Sequence, residues 1–488
     1  MPNTTDFYIN GQWVAPDSLR GLDVINPSTE EVCATISLGS QADVDAAVGA
    51  ARAAFAGWSQ STKSERLALL ERILEVYKAR AGDMAEAIST EMGAPIDLSK
   101  TSQVGAGIWH ISNFITALKD FDFERPLGDH APNDRIIHEA VGVVGMITPW
   151  NWPMNQVTLK TIPALAAGCT MVLKPSEIAP LSALLFAEIL DEAGVPAGVF
   201  NLVNGDGAGV GTMLTSHPGV DAISFTGSTR AGIAISKSAA DTLKPVHLEL
   251  GGKGANVIFA DADEKAVKRG VQHCFNNTGQ SCNAPTRMLV ERAIYDQAVE
   301  IAADVAEKTA VGMAADPGRH IGPLVSQAQY DKVQALIETG IAEGARLVAG
   351  GPGRPEGFNR GYFVRPTVFA DVSNDMTIAR EEIFGPVLSI IPFEDEAEAL
   401  AIANDVQYGL TGYLWTNDVT RALRFSDALE AGMIWVNSEN VRHLPTPFGG
   451  VKSSGIGRDG GQWSFEFYME TKHIGIATGQ HKITRLGA

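Results

Sequence analysis

Along the first eighty residues, apolar side chains recur every three or four positions. Val44, Ala47, Val48, Ala51, Phe55 and Trp58 form one such series, and Leu67, Leu70, Ile73, Leu74 and Tyr77 form a second. The spacing predicts a pair of amphipathic helices over roughly 41–81. From Val141 the pattern changes. Short apolar runs at 141–147, 170–173, 199–203 and 222–225 alternate with helically spaced stretches near 154–166, 181–193, 208–216 and 229–240. Alternation of this kind predicts a parallel sheet covered on both faces. After Gly251 it restarts, with strands expected at 256–259, 288–290, 387–393, 412–415 and 433–436 and helices near 264–277, 293–308, 395–404 and 418–429. The expected fold is therefore α/β, with two open, doubly wound lobes and a changeover near residue 250. The polar, proline-interrupted stretch 120–135 reads as a connector. The segment beyond the glycine-rich run P-F-G-G-V-K-S-S-G-I-G-R at 447–458 reads as a strand added to a neighbouring subunit.

Composition narrows the class. The chain has 488 residues, 45% hydrophobic and 19% charged, which fits a globular protein of two or three domains and excludes a disordered one. A formal net charge of −19 gives no general attraction to nucleic acid or to an anionic membrane. The 20-residue uncharged window 140–159 is long enough to span a bilayer, but its two prolines and its amides make it a buried strand and a polar turn. No basic and apolar leader opens the sequence, and the four cysteines form no C-x-x-C pair, so a reducing cytoplasm is expected.

Several chemistries drop out for want of their motifs. There is no H-E-x-x-H, no spaced Cys/His set for zinc, no G-x-S-x-G and no phosphate loop of the Walker type, so no metal is expected. The run from Gly205 to Gly211 has Val210 where a dinucleotide fingerprint needs its third glycine, and a flexible turn explains it equally well. Ser224-Phe225-Thr226-Gly227-Ser228-Thr229 follows a strand and opens a helix, which suits either a phosphate at the helix N-terminus or ordinary hydroxyl capping. In Pro149-Trp150-Asn151-Trp152-Pro153 two prolines hold an amide in one place; it either stabilises an oxyanion or bonds its own backbone. Glu249-Leu250-Gly251-Gly252-Lys253 sets a carboxylate at a strand end, and Gly279-Gln280-Ser281-Cys282-Asn283 sets a thiol in a glycine-led turn.

Together, and in this order along the chain, these motifs closely resemble the NAD(P)-dependent aldehyde dehydrogenase superfamily. Lys174-Pro175-Ser176-Glu177, Glu381-Glu382-Ile383-Phe384-Gly385-Pro386 and Pro447-Phe448-Gly449-Gly450 complete the set, which covers about residues 7–475. The resemblance implies a discontinuous NAD-binding domain (1–121 and 141–250), a catalytic domain (251–453) and bridging segments (122–140 and 454–488) forming a small β arm in a dimer or tetramer. It implies that Cys282 is the nucleophile, that Asn151 and the Cys282 N–H hold the oxyanion, and that Glu249 activates water to hydrolyse a thioester. Cofactor positions carried over are Ile147, Thr148, Pro149, Trp150, Lys174, Ser176, Glu177, Gly207, Gly211, Phe225, Gly227, Ser228, Leu250, Glu382 and Phe384. A carboxylate at Glu177 accepts from a ribose 2′-OH and repels a 2′-phosphate, which favours NAD over NADP.

The implied substrate channel comprises Trp152, Asn155, Gln156, Leu159, Ser281, Asn283, Asn440, Arg442 and Phe448, aromatic at the centre and polar around it. That mix suits an aromatic, medium-chain or semialdehyde substrate. Arg442 reads either as a fork for a distal carboxylate or as a surface residue paired with Glu439. Two other functions remain for comparison: a cofactor-free thiol hydrolase or acyltransferase using Cys282 and Glu249, and a catalytically silent binding protein on the same fold.

Overall fold

A computed structural model describes residues 4–479; the outermost residues of the expected 1–121 and 454–488 segments lie outside that range. Two sheets organise it. The first has eight strands in the order Gln12–Val14, Phe7–Ile9, Phe200–Leu202, Thr170–Lys174, Val143–Ile147, Ala222–Thr226, Val246–Glu249 and Gly455–Ile456. Its five central strands are parallel, Phe7–Ile9 and Gly455–Ile456 run antiparallel to them at the two sides, and Gln12–Val14 pairs antiparallel to Phe7–Ile9. The chain enters this parallel core at Val143–Ile147, builds two strands to one side, then returns to build two on the other. The strand order thus reverses between Val143–Ile147 and Ala222–Thr226, where loops from their carboxyl ends part to leave a crevice.

The second sheet repeats the plan with seven strands, ordered Arg346–Ala349, Thr367–Ala370, Val387–Phe393, Arg287–Glu291, Ala255–Ile258, Thr411–Trp415 and Met433–Val436. All pairings are parallel except that of Arg346–Ala349. The central strands of both sheets are buried along their whole length, as sheets with helices on both faces require.

Helix Gln41–Trp58 and helix Lys63–Ala79 realise the predicted amphipathic pair. Each opens with a reciprocal capping box, Ser40 with Asp43 and Thr62 with Glu65. Helix Pro153–Ala167 starts on a proline, whose missing N–H costs nothing at that position, and ends on left-handed Gly168. It is buried almost throughout and packs against helix Val104–Asp120.

Two stretches depart from the sequence expectation. The stretch 120–135 is no plain connector: Glu124–Gly128 and Ala131–Ala140 form a hairpin, and Met469–Ile474 pairs with the latter to complete a three-stranded antiparallel sheet. Both faces are largely solvated, so the strands lack the apolar alternation that announces a strand, and Pro126 sits on an edge where no ladder donor is required. Met469–Ile474 pairs within its own chain and keeps its outer edge open. The beginning of the 454–488 segment belongs to the first lobe. Gly455–Ile456 extends that lobe's sheet, while Phe465 and Tyr468 of helix Gly461–Tyr468 enter its core.

Candidate active site

Strand Val246–Glu249 delivers the Glu249 carboxyl to the end of the first sheet, in register with Thr226. Two glycines follow because the chain must pass close to other elements: a Cβ on Gly251 would strike the Glu382 carboxylate, and one on Gly252 would strike the Cys282 carbonyl. Ser454 fixes this turn. Its backbone carbonyl accepts from Leu250 N at 2.9 Å, and its hydroxyl donates to Gly251 O at 2.7 Å.

The thiol loop leaves helix Ala266–Phe275 through three consecutive left-handed residues, Asn277 (φ 51°), Thr278 (φ 58°) and Gly279 (φ 71°). Two of these carry side chains, a conformation that persists only when surrounding bonds enforce it. Those bonds are present. Asn277 Nδ2 donates to Asn151 O at 2.9 Å, Thr278 Oγ1 to Gly322 O at 3.1 Å, and Gln280 Oε1 accepts from Val325 N at 3.0 Å. The loop is therefore held by both lobes.

On the facing side the turn 149–153 is tied to it twice. Asn151 Nδ2 donates to Gln280 O at 3.1 Å, and Trp152 Nε1 donates to Ser281 Oγ at 2.8 Å. Asn151 does not bond its own backbone through its side chain, so of the two readings of this turn the local one fails. One hydrogen of its amide is engaged by Gln280, and the second remains for a ligand.

Cys282 lies where two cavities meet. The larger, of about 510 Å³, is lined by Trp152, Asn155, Gln156, Ser281, Asn283, Asn440, Arg442 and Phe448 beside the thiol. All but one of the expected channel residues are thus brought together. The exception is Leu159, which is buried in the hydrophobic core of the first lobe, one helical turn beyond the part of helix Pro153–Ala167 that faces the cavity. Sequence reasoning missed the opposite wall, formed by Thr101, Ser102, Gly105, Ala106 and Trp109 with His273 and Asn276 below. Only the crossing of helix Val104–Asp120 over Pro153–Ala167 brings it there. Its one local sign is a Trp preceded by small residues.

A second cavity, of about 220 Å³, opens on the crevice side. Pro149, Trp150, Asn151, Gly227, Ser228, Glu249, Leu250, Glu382 and Phe384 line it, together with Thr226 and Gly251 from the two glycine-containing motifs, and with Gln329 and Lys332, which the sequence did not single out. The last two brace the Glu-Ile-Phe loop: Lys332 Nζ donates to Glu382 O at 2.7 Å, and Gln329 Nε2 to Phe384 O at 2.8 Å. Trp150 and Phe384 meet edge to face at 5.3 Å.

The other expected cofactor residues continue from this cavity along the ends of the parallel strands. Ile147 and Lys174 are paired strand ends, Thr148 N donates to Lys174 O, and Lys174 Nζ pairs with Glu177 Oε2 at 2.8 Å. Ser176 Oγ accepts from Ile178 N at 3.3 Å. Gly207 and Gly211 bound a single wide turn capped by Asp206, and the Phe225 ring lies under Gly227, where a Cβ would meet it at 2.5 Å.

Electrostatics at the junction are set by desolvation. Glu249 is buried, its carboxyl has the Cys282 thiol as its one hydrogen-bonding neighbour among the described residues, and its pKa is pushed up to about 8, chiefly by burial. Burial, and next the Glu249 carboxyl beside it, push the Cys282 thiol well above its ordinary range. Both shifts favour the neutral forms, a thiol and a carboxyl that each keep a proton of their own. Among the described residues no cluster of His, Cys, Asp or Glu is arranged to hold a metal, and no helix is long and apolar enough to cross a membrane.

A doubly wound lobe with a crevice at its strand reversal, beside a thiol backed by a carboxyl, defines a cysteine enzyme built around a dinucleotide-type fold. Comparison with known proteins gives the family: the model of the aldehyde dehydrogenase family matches residues 13–474, and the chain belongs to that family. It is an oxidoreductase that converts aldehydes to acids. A 3-succinoylsemialdehyde-pyridine dehydrogenase of a Pseudomonas species is 52% identical over 97% of this chain and 99% of its own. Among solved structures, an aldehyde dehydrogenase from Bartonella henselae is 59% identical with a TM-score of 0.96, covering 97% of this chain and 100% of that one. Aldehyde dehydrogenase C of Pseudomonas syringae, solved as a cysteine-to-alanine mutant with NAD+ and octanal, is 47% identical with a TM-score of 0.95, covering 98% of each.

Proposed function

We propose that this chain oxidises its aldehyde with NAD as acceptor, Cys282 serving as nucleophile, Asn151 as oxyanion donor and Glu249 as base. The observation that carries the reading is the position of Cys282: its thiol closes the end of one cavity and opens onto the other. An aldehyde entering from the first reaches a group that also faces the crevice of the doubly wound sheet.

The residues of that crevice fit a dinucleotide. Ser228 caps the twelve-residue helix Thr229–Ala240, leaving its N-terminus to face an anion. Gly227 keeps the backbone bare there, and Glu382 presents a carboxylate for ribose hydroxyls while its Oε1 accepts from Gly252 N at 2.9 Å. A nicotinamide held there would supply the acceptor for the hydride that leaves the substrate carbon. Glu177, at the far end of the row, supports NAD over NADP, because a second negative charge beside it is repelled.

The ionised form of Glu249, the minor form at pH 7, takes the Cys282 proton as the sulfur attacks the aldehyde carbon, forming a thiohemiacetal. The oxygen that becomes negative is held by the free hydrogen of the Asn151 amide and by the Cys282 N–H. Oxidation leaves a thioester on Cys282. Once Glu249 has released the thiol proton to solvent, it takes a proton from water, whose oxygen attacks that thioester and expels the acid and the Cys282 thiolate. The channel, walled by Trp152, Trp109 and Phe448 and rimmed by amides, supports aromatic, medium-chain or semialdehyde substrates. The Pseudomonas relative is named for a semialdehyde and the P. syringae structure holds octanal, in keeping with that range. The open edge of Met469–Ile474 supports assembly into a homo-oligomer, and four free thiols fit a reducing cytoplasm.

Growth of absorbance at 340 nm with NAD and an aldehyde, lost when either is omitted, tests the reading. Ester hydrolysis without any aldehyde oxidation would favour the cofactor-free thiol hydrolase instead.

A further inference from the structure

Arg442 lines the substrate cavity and makes no salt bridge among the described residues; Cys282 and the carboxyls of Asp459 and Glu249 act on its charge only from beyond contact distance. Its guanidinium packs on the rings of Trp109, at 5.5 Å, and Phe448, at 4.7 Å. Neither ring supplies a hydrogen-bond acceptor in the guanidinium plane, and Nε is buried with no partner among the described residues. The acid nearest in its own loop, Glu439, is engaged by Arg269 at 2.8 Å. A half-buried guanidinium left in this way is costly unless something else brings it an anion.

Asn155 lines the same cavity and is held by a residue outside it. Nε2 of His110, which is buried outside the cavity, lies 2.9 Å from Asn155 Oδ1. A carboxamide oxygen only accepts, so the neutral imidazole carries its hydrogen on Nε2 and donates. Burial first, and then the nearby Arg442 charge, keep that ring neutral by lowering its pKa to about 4. With Oδ1 occupied, the amide turns its N–H₂ edge elsewhere. Two further cavity oxygens, Gln156 Oε1 and Asn440 Oδ1, are unpartnered but uncharged, so they cannot neutralise the guanidinium.

Resting on the aldehyde-oxidation reading, we propose that Arg442 and Asn155 form a subsite for a carboxylate at the far end of the substrate, with His110 as the positioning residue that sets the Asn155 amide. The preferred substrates are then ω-oxo carboxylates. The aldehyde end lies at Cys282, and the carboxylate takes hydrogen bonds from the guanidinium and the amide, a charge-assisted arrangement of the stronger kind.

The test compares kcat/KM for 5-oxopentanoate and pentanal, measured on the same preparations of wild type, Arg442→Met and Arg442→Lys. Wild type is expected to favour 5-oxopentanoate, and Arg442→Met to lower the carboxylate-to-neutral ratio about 10-fold, or roughly 1.4 kcal/mol. Arg442→Lys should recover part of it. His110→Leu should raise KM for 5-oxopentanoate severalfold, with most of the effect on KM rather than kcat, and His110→Gln should restore it by returning the donor. Equal losses on both substrates would overturn the subsite and assign Arg442 to the loop or the thiol. An unchanged ratio while pentanal still yields NADH would overturn the subsite alone. No NADH from any aldehyde would overturn the oxidation reading and the subsite with it.

Discussion

The side-chain amide of Asn151 donates to the backbone carbonyl of Gln280 across 3.1 Å, joining the turn after the first central strand to the loop that carries Cys282. One hydrogen bond thus positions donor and nucleophile relative to each other. The Asn151 backbone carbonyl adds to it by accepting from Gln103 and Asn277. Replacing Asn151 with Ala removes both an oxyanion donor and this tie. The expected loss in kcat is about 10²–10³, the usual cost of one such donor, with NAD binding retained. Steady-state rates alongside NAD titration check it, and a kcat within threefold of wild type would remove Asn151 from the role.

Glu249 carries the pH dependence. Below its pKa of about 8 the carboxyl is protonated and cannot take a proton from water. The thioester hydrolysis rate should therefore rise about tenfold per pH unit below that value and level off above it, with the carboxylate fraction. Single-turnover rates between pH 6 and 10 test this. The inflection should vanish in Glu249→Gln.

Cofactor choice should turn on the Lys174–Glu177 pair. Glu177→Ser removes a negative charge and frees the Lys174 ammonium, held at 2.8 Å in the parent, to meet a 2′-phosphate. The NADP-to-NAD ratio of kcat/KM should rise about tenfold, which is roughly 1.4 kcal/mol. An unchanged ratio would mean that the ribose is read elsewhere.

Gly279 is a position only glycine fits. Its φ of 71° is left-handed, and a Cβ there would run into the backbone carbonyl of Gly385, which cannot swing aside as a side chain can. Gly279→Ala should cost about 1–3 kcal/mol through backbone strain alone. A lower melting temperature and a displaced thiol loop, seen as slower alkylation or acylation of Cys282, are the expected readouts.

Much of this architecture was legible in the sequence, and the gaps have physical causes. The central strands and their helices announce themselves because full burial writes continuous apolar runs such as Val143–Ile147 and Thr170–Lys174. The hairpin over 124–140 does not, since most of its side chains are solvated and it completes its sheet with Met469–Ile474, more than three hundred residues away. Gly455–Ile456 is too short to carry a pattern at all. In the site, the thiol, carboxyl and amide stand in local motifs, whereas Trp109, His110 and Lys332 reach it through helix packing and sit in stretches with no motif. Leu159 shows the converse error: a residue on the correct helix, one turn too far along, belongs to the core.

The central claim is that an acyl group passes through Cys282 and leaves with the help of Glu249. The most direct measurement is the mass of the Glu249→Gln protein, quenched milliseconds after mixing with NAD and an aldehyde, followed by peptide mapping. The account predicts a burst of NADH near one equivalent per site and an adduct of the acyl mass on the peptide containing Cys282. Turnover without such an adduct, or an adduct on another residue, would contradict it.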